Sequence, residues 1–365
     1  MLNQLKNLAK RLLAIRAIRR FHDTTMRVLT EFFGSHRLLS IPYSLLTLHT
    51  FNREQFAVLR GRRDYYRNLG RQRRTHTELR RNVHRLEKGI SMRPRRALFG
   101  LDYLEETIEF YEQAVSDRGA TVACIDVAEL AWAHDVLADY FSIADRNNPI
   151  VASAHDRFRA TSPVPATQAM RKPFARKDGM VSATRYEDLL SLAMQRRSVR
   201  WFKQDPVPRE LIDKAMLVAR QGPTACNRLP YEFRIFDDPE MVRMIAAIPF
   251  GSAGYAHQIP TVVVVVGRLN HYFSPRDRHV IYVDSSLAAM GFMFALETLG
   301  LSSSVINWPD FEPLESKMQK ALHLEYDERV IMLIAVGYAD PDGVIPFSEK
   351  KSLDILRRYN DLEMP

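Results

Sequence analysis

Five consecutive valines lie within Thr261–Gly267, and this short apolar run constrains the fold strongly. β-branched residues favour extended backbone, and a run of this kind is typical of a buried strand. A helix that crosses a bilayer needs about 20 predominantly apolar residues, so this run cannot span one. We therefore expect a central sheet that includes this strand, and no transmembrane helix.

The length and composition of the chain predict two regions rather than one. The 365 residues are 46% hydrophobic, which is enough for a large core. The two cysteines, Cys124 and Cys226, are too few for a disulfide framework and lack metal-ligand spacing, so we expect a reducing compartment and no metal site. Lys10, Arg11 and Arg16 interrupt the apolar core that a signal peptide would need. The expected location is the cytoplasm.

Basic residues are concentrated in the first part of the chain. The net charge is +9, and residues 1–100 hold 23 basic and 6 acidic side chains. Residues 1–20 predict an amphipathic basic helix that either packs on the protein or lies on an anionic membrane surface. Residues 52–81 predict a second basic helix whose charged face is solvated or contacts an acidic partner. Residues 1–96 thus leave open a peripheral contact with the inner face of a membrane or with an acidic partner, and no specific nucleic-acid motif accompanies them.

The pattern of helices, strands and loops suggests where the regions divide. We predict a basic helical region over residues 1–145, a linker or wrapping loop over 146–183, where prolines are frequent, and a second domain over 184–365. In that domain helices alternate with strands, which favours a mixed arrangement around a central sheet. The predicted helices are 186–195, 209–220, 239–247, 284–299 and 313–322, and the predicted strands are 231–236, 261–267 and 330–337.

Two stretches of the second domain carry candidate binding groups. Arg196–Phe202 reads RRSVRWF, and its three guanidiniums and one hydroxyl match the geometry of a phosphate group, although a solvated basic turn is the alternative. Gln221–Tyr231 reads QGPTACNRLPY. Its small residues let the backbone approach a flat ligand while the Asn227 amide reaches the polar edge of that ligand.

Taken together, about one helix apart, the two stretches resemble the FMN-binding signature of the nitroreductase family. That signature reads Arg-x-Ser-x-Arg and then Pro-Ser-x-x-Asn-x-Gln-Pro-Trp, and the resemblance covers residues 185–359. Leu229 and Tyr231 depart from it, because they stand where Gln and Trp are common. The segment 84–96, HRLEKGISMRPRR, is similar to the leader of nitroreductase-like proteins associated with surface polysaccharide loci.

The resemblance implies an α+β fold with a central, mostly antiparallel sheet flanked by helices, preceded here by the all-helical basic region. It also implies an intertwined homodimer that binds flavin at the subunit interface. By the same resemblance, Arg196 and Ser198 bind the FMN phosphate, with Arg197 in the same segment. Arg200 faces N1 and O2 of the isoalloxazine ring, where a guanidinium favours the negative charge of reduced flavin.

Further residues are assigned to the cofactor site only through the resemblance. Pro223, Thr224 and Asn227 would line the polar edge of the flavin ring. Ser303 and Ser304 occupy the position where the family places backbone groups toward flavin N5. Lys350 and Lys351 match a basic pair that often completes the phosphate site, although surface lysines are the alternative.

The function implied is that of an FMN-dependent oxidoreductase. Hydride from NADH or NADPH would pass through flavin N5 to a small electron-poor acceptor, such as a nitro compound or a quinone, in a ping-pong reaction. The flavin carries this chemistry, so no catalytic side chain is expected. Two alternatives stay open: a flavin-dependent biosynthetic oxidation or reduction of a sugar or peptide, and a non-catalytic scaffold that binds a membrane surface or an acidic partner.

Overall fold

The computed structural model of the chain describes residues 16–39, 43, 48–68, 76–117, 125–161 and 171–360. The chain forms two compact units. The smaller unit comprises Met1–Phe56 and Asp310–Pro313, and the larger comprises Ala57–Pro309 and Leu314–Pro365. The predicted division at residues 145 and 184 stays a prediction.

Helices dominate the first part of the chain, as predicted. The amphipathic helix expected within residues 1–20 lies outside the described residues as far as residue 15, and the first described helix begins at Arg16. The described helices are α1 (Arg16–Gly34), α2 (Leu48–Asn68), α3 (Thr77–Ile90), α4 (Leu101–Ser116), α5 (Val127–Ile143) and α6 (Pro149–Ala160).

Helices α3 to α6 share one hydrophobic core within the larger unit. α3 packs on α4 and α5, and α4 packs on α6. Tyr111 of α4 and Tyr140 of α5 are completely buried in this core, where they contribute large apolar surfaces. Each also uses its hydroxyl, since Tyr111 lies 2.9 Å from His134 Nδ1 and Tyr140 donates to the Phe99 carbonyl at 2.9 Å.

Helix α6 corrects the first part of the predicted linker or wrapping loop over 146–183, whereas the described residues 171–183 are irregular apart from one short 3₁₀ turn at Arg176–Asp178. The side chain of Asn148 accepts hydrogen bonds from the backbone N–H groups of Ile150 and Val151, and Pro149 occupies the first turn. An asparagine cap followed by proline is a favourable helix start. Val151 and Ala154 are buried in the helical core, so this segment is a structural helix rather than a loop.

The second part of the larger unit is built on one antiparallel sheet. The strands are β1 (Tyr231–Phe236), β2 (Thr261–Arg268), β3 (Ser302–Asn307) and β4 (Glu328–Gly337), and their order is β1-β2-β4-β3. Every pairing is antiparallel, which confirms the predicted α+β class. The helices around the sheet are α7 (Tyr186–Gln195), α8 (Arg209–Ala219), α9 (Pro239–Ala246), α10 (Val280–Thr298) and α11 (Glu312–Leu322), and the short α12 is Leu353–Leu356.

Strand β2 is buried because helices cover both faces of the sheet. Successive side chains of a strand point to opposite faces. Val263 and Val265 belong to the core shared with α8 and α10, whereas Val262 and Val264 belong to the core shared with α9 and α11. The run of valines therefore serves two cores at once, which explains why it shows no polar alternation.

Helix α10 lies at the centre of this region and packs on all four strands and on α8. The segment Pro275–Thr298 is long and apolar enough to cross a membrane by length and composition, and about half of it is buried within the fold. Burial against the sheet accounts for that composition. The helix begins at Val280, four residues before the predicted start at Asp284.

Candidate functional site

The RRSVRWF segment runs beside the edge strand β3. Helix α7 ends at Gln195, and Arg196 adopts extended backbone angles. Ser198 forms a parallel bridge with Ser303, and the Val199 N–H donates to the Ser303 carbonyl at 3.1 Å. The first predicted binding stretch and the two predicted serines of β3 are therefore neighbours in space.

Several hydrogen-bonding groups of this neighbourhood have no protein partner. Arg196 Nε and the hydroxyls of Ser303 and Ser304 are buried without a hydrogen bond to any residue that the structure describes. Within the described part of the chain, neither Arg196 nor Arg200 forms an ion pair with a carboxylate within 4.0 Å. Buried donors without partners are rare in native proteins, and they point to a ligand or ordered water at this place.

Arg200 is held by weak contacts only. Its Nη1 lies 3.5 Å from the Ser198 carbonyl, its guanidinium lies 6.0 Å from the centroid of the Tyr255 ring, and its own carbonyl accepts from Gln258 Nε2 at 3.1 Å. The backbone is thus fixed while the half-buried guanidinium keeps most of its donors available.

Arg197 and the two lysines are placed differently from Arg196. Arg197 Nη2 donates to the Phe347 carbonyl, and its guanidinium lies 5.9 Å from the Phe347 ring centroid. This contact brings the C-terminal segment beside the RRSVRWF segment. Lys350 and Lys351 are exposed, and the structure does not join either side chain to Arg196 or Ser198.

Glu297 is a further acidic group near Arg196 that the sequence analysis did not single out. Its Oε1 accepts from Gln195 Nε2 at 3.2 Å, and its Oε2 is buried without a partner. Burial raises the pKa of this carboxyl, whereas Gln195 and the charge of Arg196 oppose the rise. Its only sequence signal is its place in the last turn of an apolar helix.

The second stretch forms a strained loop along the other end of α10. Cys226, Asn227 and Leu229 all have positive φ, between 45° and 54°, which costs energy for residues other than glycine. Two hydrogen bonds brace the loop: the Ala225 N–H donates to Asp284 Oδ2 at 2.9 Å, and the Leu229 N–H donates to Thr224 Oγ1 at 3.2 Å. Thr224 therefore uses its hydroxyl inside the loop.

Close backbone packing fixes the start of this loop. A Cβ added at Gly222 would lie 3.2 Å from backbone atoms of Ala288 on α10, so only glycine allows this approach without a shift. Pro223 follows directly and restricts the backbone further. Cys226 is a partly buried free thiol.

A single protomer does not bring the two binding stretches together. The first stretch begins beside Glu297 near the C-terminal end of α10, and the second is anchored to Asp284 near its N-terminal end. A helix rises 1.5 Å per residue, so these anchor points lie about 20 Å apart. Arg196, Ser198, Ser303 and Ser304 thus form one half of the predicted site, and the loop with Asn227 forms a separate half.

Helix α3 contacts the second loop, a feature that sequence reasoning missed. Arg80 Nη1 lies 3.3 Å from the Asn227 carbonyl, and Arg80 also pairs with Glu129 at 2.6 Å. The basic helix predicted over residues 52–81 places Arg80 and Arg81 on a face that is solvated or contacts an acidic partner. Instead both are largely buried and paired within the chain, since Arg81 pairs with Glu78 at 3.0 Å.

A polar cluster lies behind the loop, between it and the start of α10. Burial raises the pKa values of Asp284, Tyr231 and Tyr272. Burial, with the charges of Arg268, Arg228 and Arg80 adding to it, lowers the pKa of His271 to about 3, so this imidazole is neutral at physiological pH. Arg228 stands within the quoted loop motif, but nothing in the sequence indicated that it is buried.

Comparison with known proteins identifies this part of the chain. The model of the nitroreductase family matches residues 193–251 and 242–338. A protein of Methanothermobacter thermautotrophicus, provisionally named an NADH dehydrogenase/NAD(P)H nitroreductase, is 29% identical over 173 residues, which cover 47% of this chain and 78% of that protein. Human iodotyrosine deiodinase 1 is 22% identical over 198 residues, covering 47% and 68%.

A solved structure of an FMN-dependent nitroreductase from Clostridium difficile R20291 matches with a TM-score of 0.41 and 20% identity, covering 47% of this chain and 99% of that chain. The family match and the names of the relatives indicate an oxidoreductase domain in the C-terminal half. The match of residues 193–338 to the nitroreductase family model confirms the resemblance drawn from the two motifs.

Proposed function

We propose that the protein is an FMN-dependent oxidoreductase that uses NADH or NADPH to reduce a small electron-poor acceptor, such as a nitro compound or a quinone, by a ping-pong reaction. FMN, when bound, would supply the hydride-transfer chemistry, and the residues of this chain would hold and orient it. The proposal rests mainly on one observation, the buried donors Arg196 Nε and Ser303 Oγ, which have no hydrogen-bond partner among the described residues and of which Ser303 is paired with Ser198.

The residues present fit the phosphate and the ring of this cofactor. Arg196 and Ser198 would hold the phosphate, because a guanidinium and a hydroxyl offer several donors to its oxygens. The free donors of Arg200 would face the pole of the ring that becomes negative on reduction. Arg197 would act indirectly, because its contact with Phe347 holds the segment that carries Lys350 and Lys351 close by.

The separation of the two half-sites supports a homodimer as the active form. Ala225, in the loop that carries Asn227, is anchored to α10 about 20 Å along the helix from the anchor of Gln195 beside Arg196. A two-fold partner could bring its own loop to the flavin held by Arg196, so that each flavin contacts both subunits. In this arrangement the polar edge of the ring would meet the Asn227 amide of the partner copy.

An absorption measurement tests the proposal directly. The purified full-length chain is incubated with excess FMN, desalted, and examined in the visible range, first in air and then anaerobically after addition of NADH or NADPH. We expect a flavin spectrum that bleaches with at least one nicotinamide. The proposal fails if no flavin is retained after reconstitution, or if bound flavin stays oxidised with both donors.

A matched pair of variants tests the assignment of Arg196. Arg196→Gln should raise the Kd for FMN about 10- to 100-fold, because a charge-assisted hydrogen bond is worth about 1.5–3 kcal/mol. Arg220→Gln removes an exposed arginine at the end of α8 and should leave the Kd unchanged. Equal FMN affinity in the two variants would remove Arg196 from the phosphate site.

A further inference from the structure

Arg228 is a buried cation without an anionic partner. Only 7% of the residue is exposed, and its Nε is buried without a hydrogen bond. Within the described part of the chain, its guanidinium makes no hydrogen bond and no ion pair within 4.0 Å; its one side-chain contact of this kind is the Tyr272 ring, 4.9 Å from the guanidinium carbon to the centroid. A buried charge without a partner is costly, so this position calls for a physical explanation.

The other arginines of the same neighbourhood differ from Arg228. Arg80, Arg228 and Arg268 all lie close enough to His271 to affect its ionisation. Arg80 pairs with Glu129 at 2.6 Å, and Arg268 pairs with Glu328 at 3.4 Å and with Glu232. Arginines in this part of the fold can therefore pair with carboxylates even when they are buried. Arg228 differs from Arg80 and Arg268 because it has no such partner among the described residues.

Asp284 does not neutralise Arg228 directly. Its Oδ2 accepts from the Ala225 N–H at 2.9 Å and from the Tyr272 hydroxyl at 3.4 Å. These two hydrogen bonds direct the Asp284 carboxyl toward the loop backbone and the Tyr272 hydroxyl, and Arg228 lies over the Tyr272 ring. The pKa of Asp284 is raised by burial, with Arg228 acting only as the weakest opposing influence.

A second group nearby also lacks a partner. The hydroxyl of Tyr231, at the start of the strand that follows the loop, is buried without a hydrogen bond to any described residue. A guanidinium and a phenol are both donors at neutral pH. The unused guanidinium of Arg228 fits an oxyanion better than it fits a cation or an apolar group.

We propose that Arg228 binds the carboxylate or phosphate of an anionic acceptor substrate. This inference rests on the proposed function and narrows its substrate class. The loop conformation suits such a role, because Asn227 and Leu229 on either side of Arg228 are held at positive φ, which fixes the backbone that carries the guanidinium.

Kinetics with a charged and a neutral acceptor of the same shape test the inference. 4-Nitrobenzoate and 4-nitrobenzamide serve as the probes for the FMN-loaded protein, for Arg228→Met and for the exposed control Arg220→Met. Arg228→Met should lower kcat/KM for nitrobenzoate about tenfold more than for nitrobenzamide, the size of one charge-assisted hydrogen bond. Arg220→Met should leave the ratio at its wild-type value. Equal losses with both probes, or no loss, would overturn the inference.

A binding measurement separates this inference from the proposed function. The Tm of the wild-type chain should rise with benzoate or inorganic phosphate but not with benzamide, and Arg228→Lys should keep part of that rise while Arg228→Met loses it. This readout needs no turnover, so it also holds if the chain fails to reduce either probe. A wild-type Tm that is insensitive to these anions would overturn the anion site, even if the flavin bleaches with NADH or NADPH.

Discussion

Asp327 is a buried carboxyl whose ionisation should make stability depend on pH. Only 2% of the residue is exposed, its Oδ2 has no partner, and burial raises its pKa to about 6. The folded state therefore binds this proton more tightly than the unfolded chain, so stability falls as pH rises from about 4 to 6 and stays lower above that range. Two pKa units correspond to about 3 kcal/mol.

We expect Asp327→Asn to raise the free energy of unfolding by up to about 3 kcal/mol at pH 8 and to leave it nearly unchanged at pH 4. Urea unfolding at both pH values measures the difference. Asp342→Asn removes an exposed carboxyl and serves as the control at both values. A gain for Asp327→Asn that is the same at pH 4 and pH 8 would mean that ionisation is not its cause.

At the residue scale, the sequence predicted which side chains offer hydrogen-bond donors, but it did not predict which of them are buried. The segment from Arg196 to Arg200 could be predicted as a donor cluster because its residue types and spacing are local properties. The burial of Arg228 could not, because it depends on Tyr272 and on α10, which are distant in sequence. The same limit applies to Arg80, whose partner Glu129 lies on another helix.

At the scale of secondary structure, strongly patterned elements were predictable and context-dependent ones were not. The bounds of α7 and β1 match the prediction, because apolar periodicity and flanking turn residues mark them clearly. Strand β3 was missed, since Ser302–Ser304 carry little β-propensity and form a strand through pairing with β4. The prolines around α6 obscured a helix that its Asn148 cap and the core stabilise.

The contact of α3 with the loop leads to a prediction about local stability. Arg80→Ala should speed amide hydrogen exchange in residues 224–230 about tenfold, because it removes the donor to the Asn227 carbonyl. Glu129→Gln breaks the ion pair and leaves the donor in place, so it should affect exchange in the loop much less. Equal acceleration in both variants would show that the ion pair with Glu129, rather than the contact with Asn227, stabilises the loop.

At the scale of the whole molecule, the α+β class followed from alternation of helices and strands together with the family resemblance. The positions of the two half-sites along α10 could not be predicted in the same way, because a sequence motif does not give the distance in space between its two parts. The same helix carries an unusual surface for a central element. Val283, Leu287 and Met290 are between 38% and 56% exposed, and their spacing places them on one face.

An exposed apolar face on a central helix favours a second copy of the chain as its partner. We expect Leu287→Glu to convert a wild-type dimer into a monomer, because a carboxylate in an apolar interface is costly to bury. Size-exclusion chromatography with light scattering gives the mass, and absorbance gives the FMN retained. Met241→Glu changes an exposed methionine of α9, 50% exposed, and should alter neither. If the two halves of the site meet across the dimer interface, Leu287→Glu should lose bound flavin together with the dimer. A monomeric variant that retains FMN at wild-type affinity would show that each chain forms its site alone.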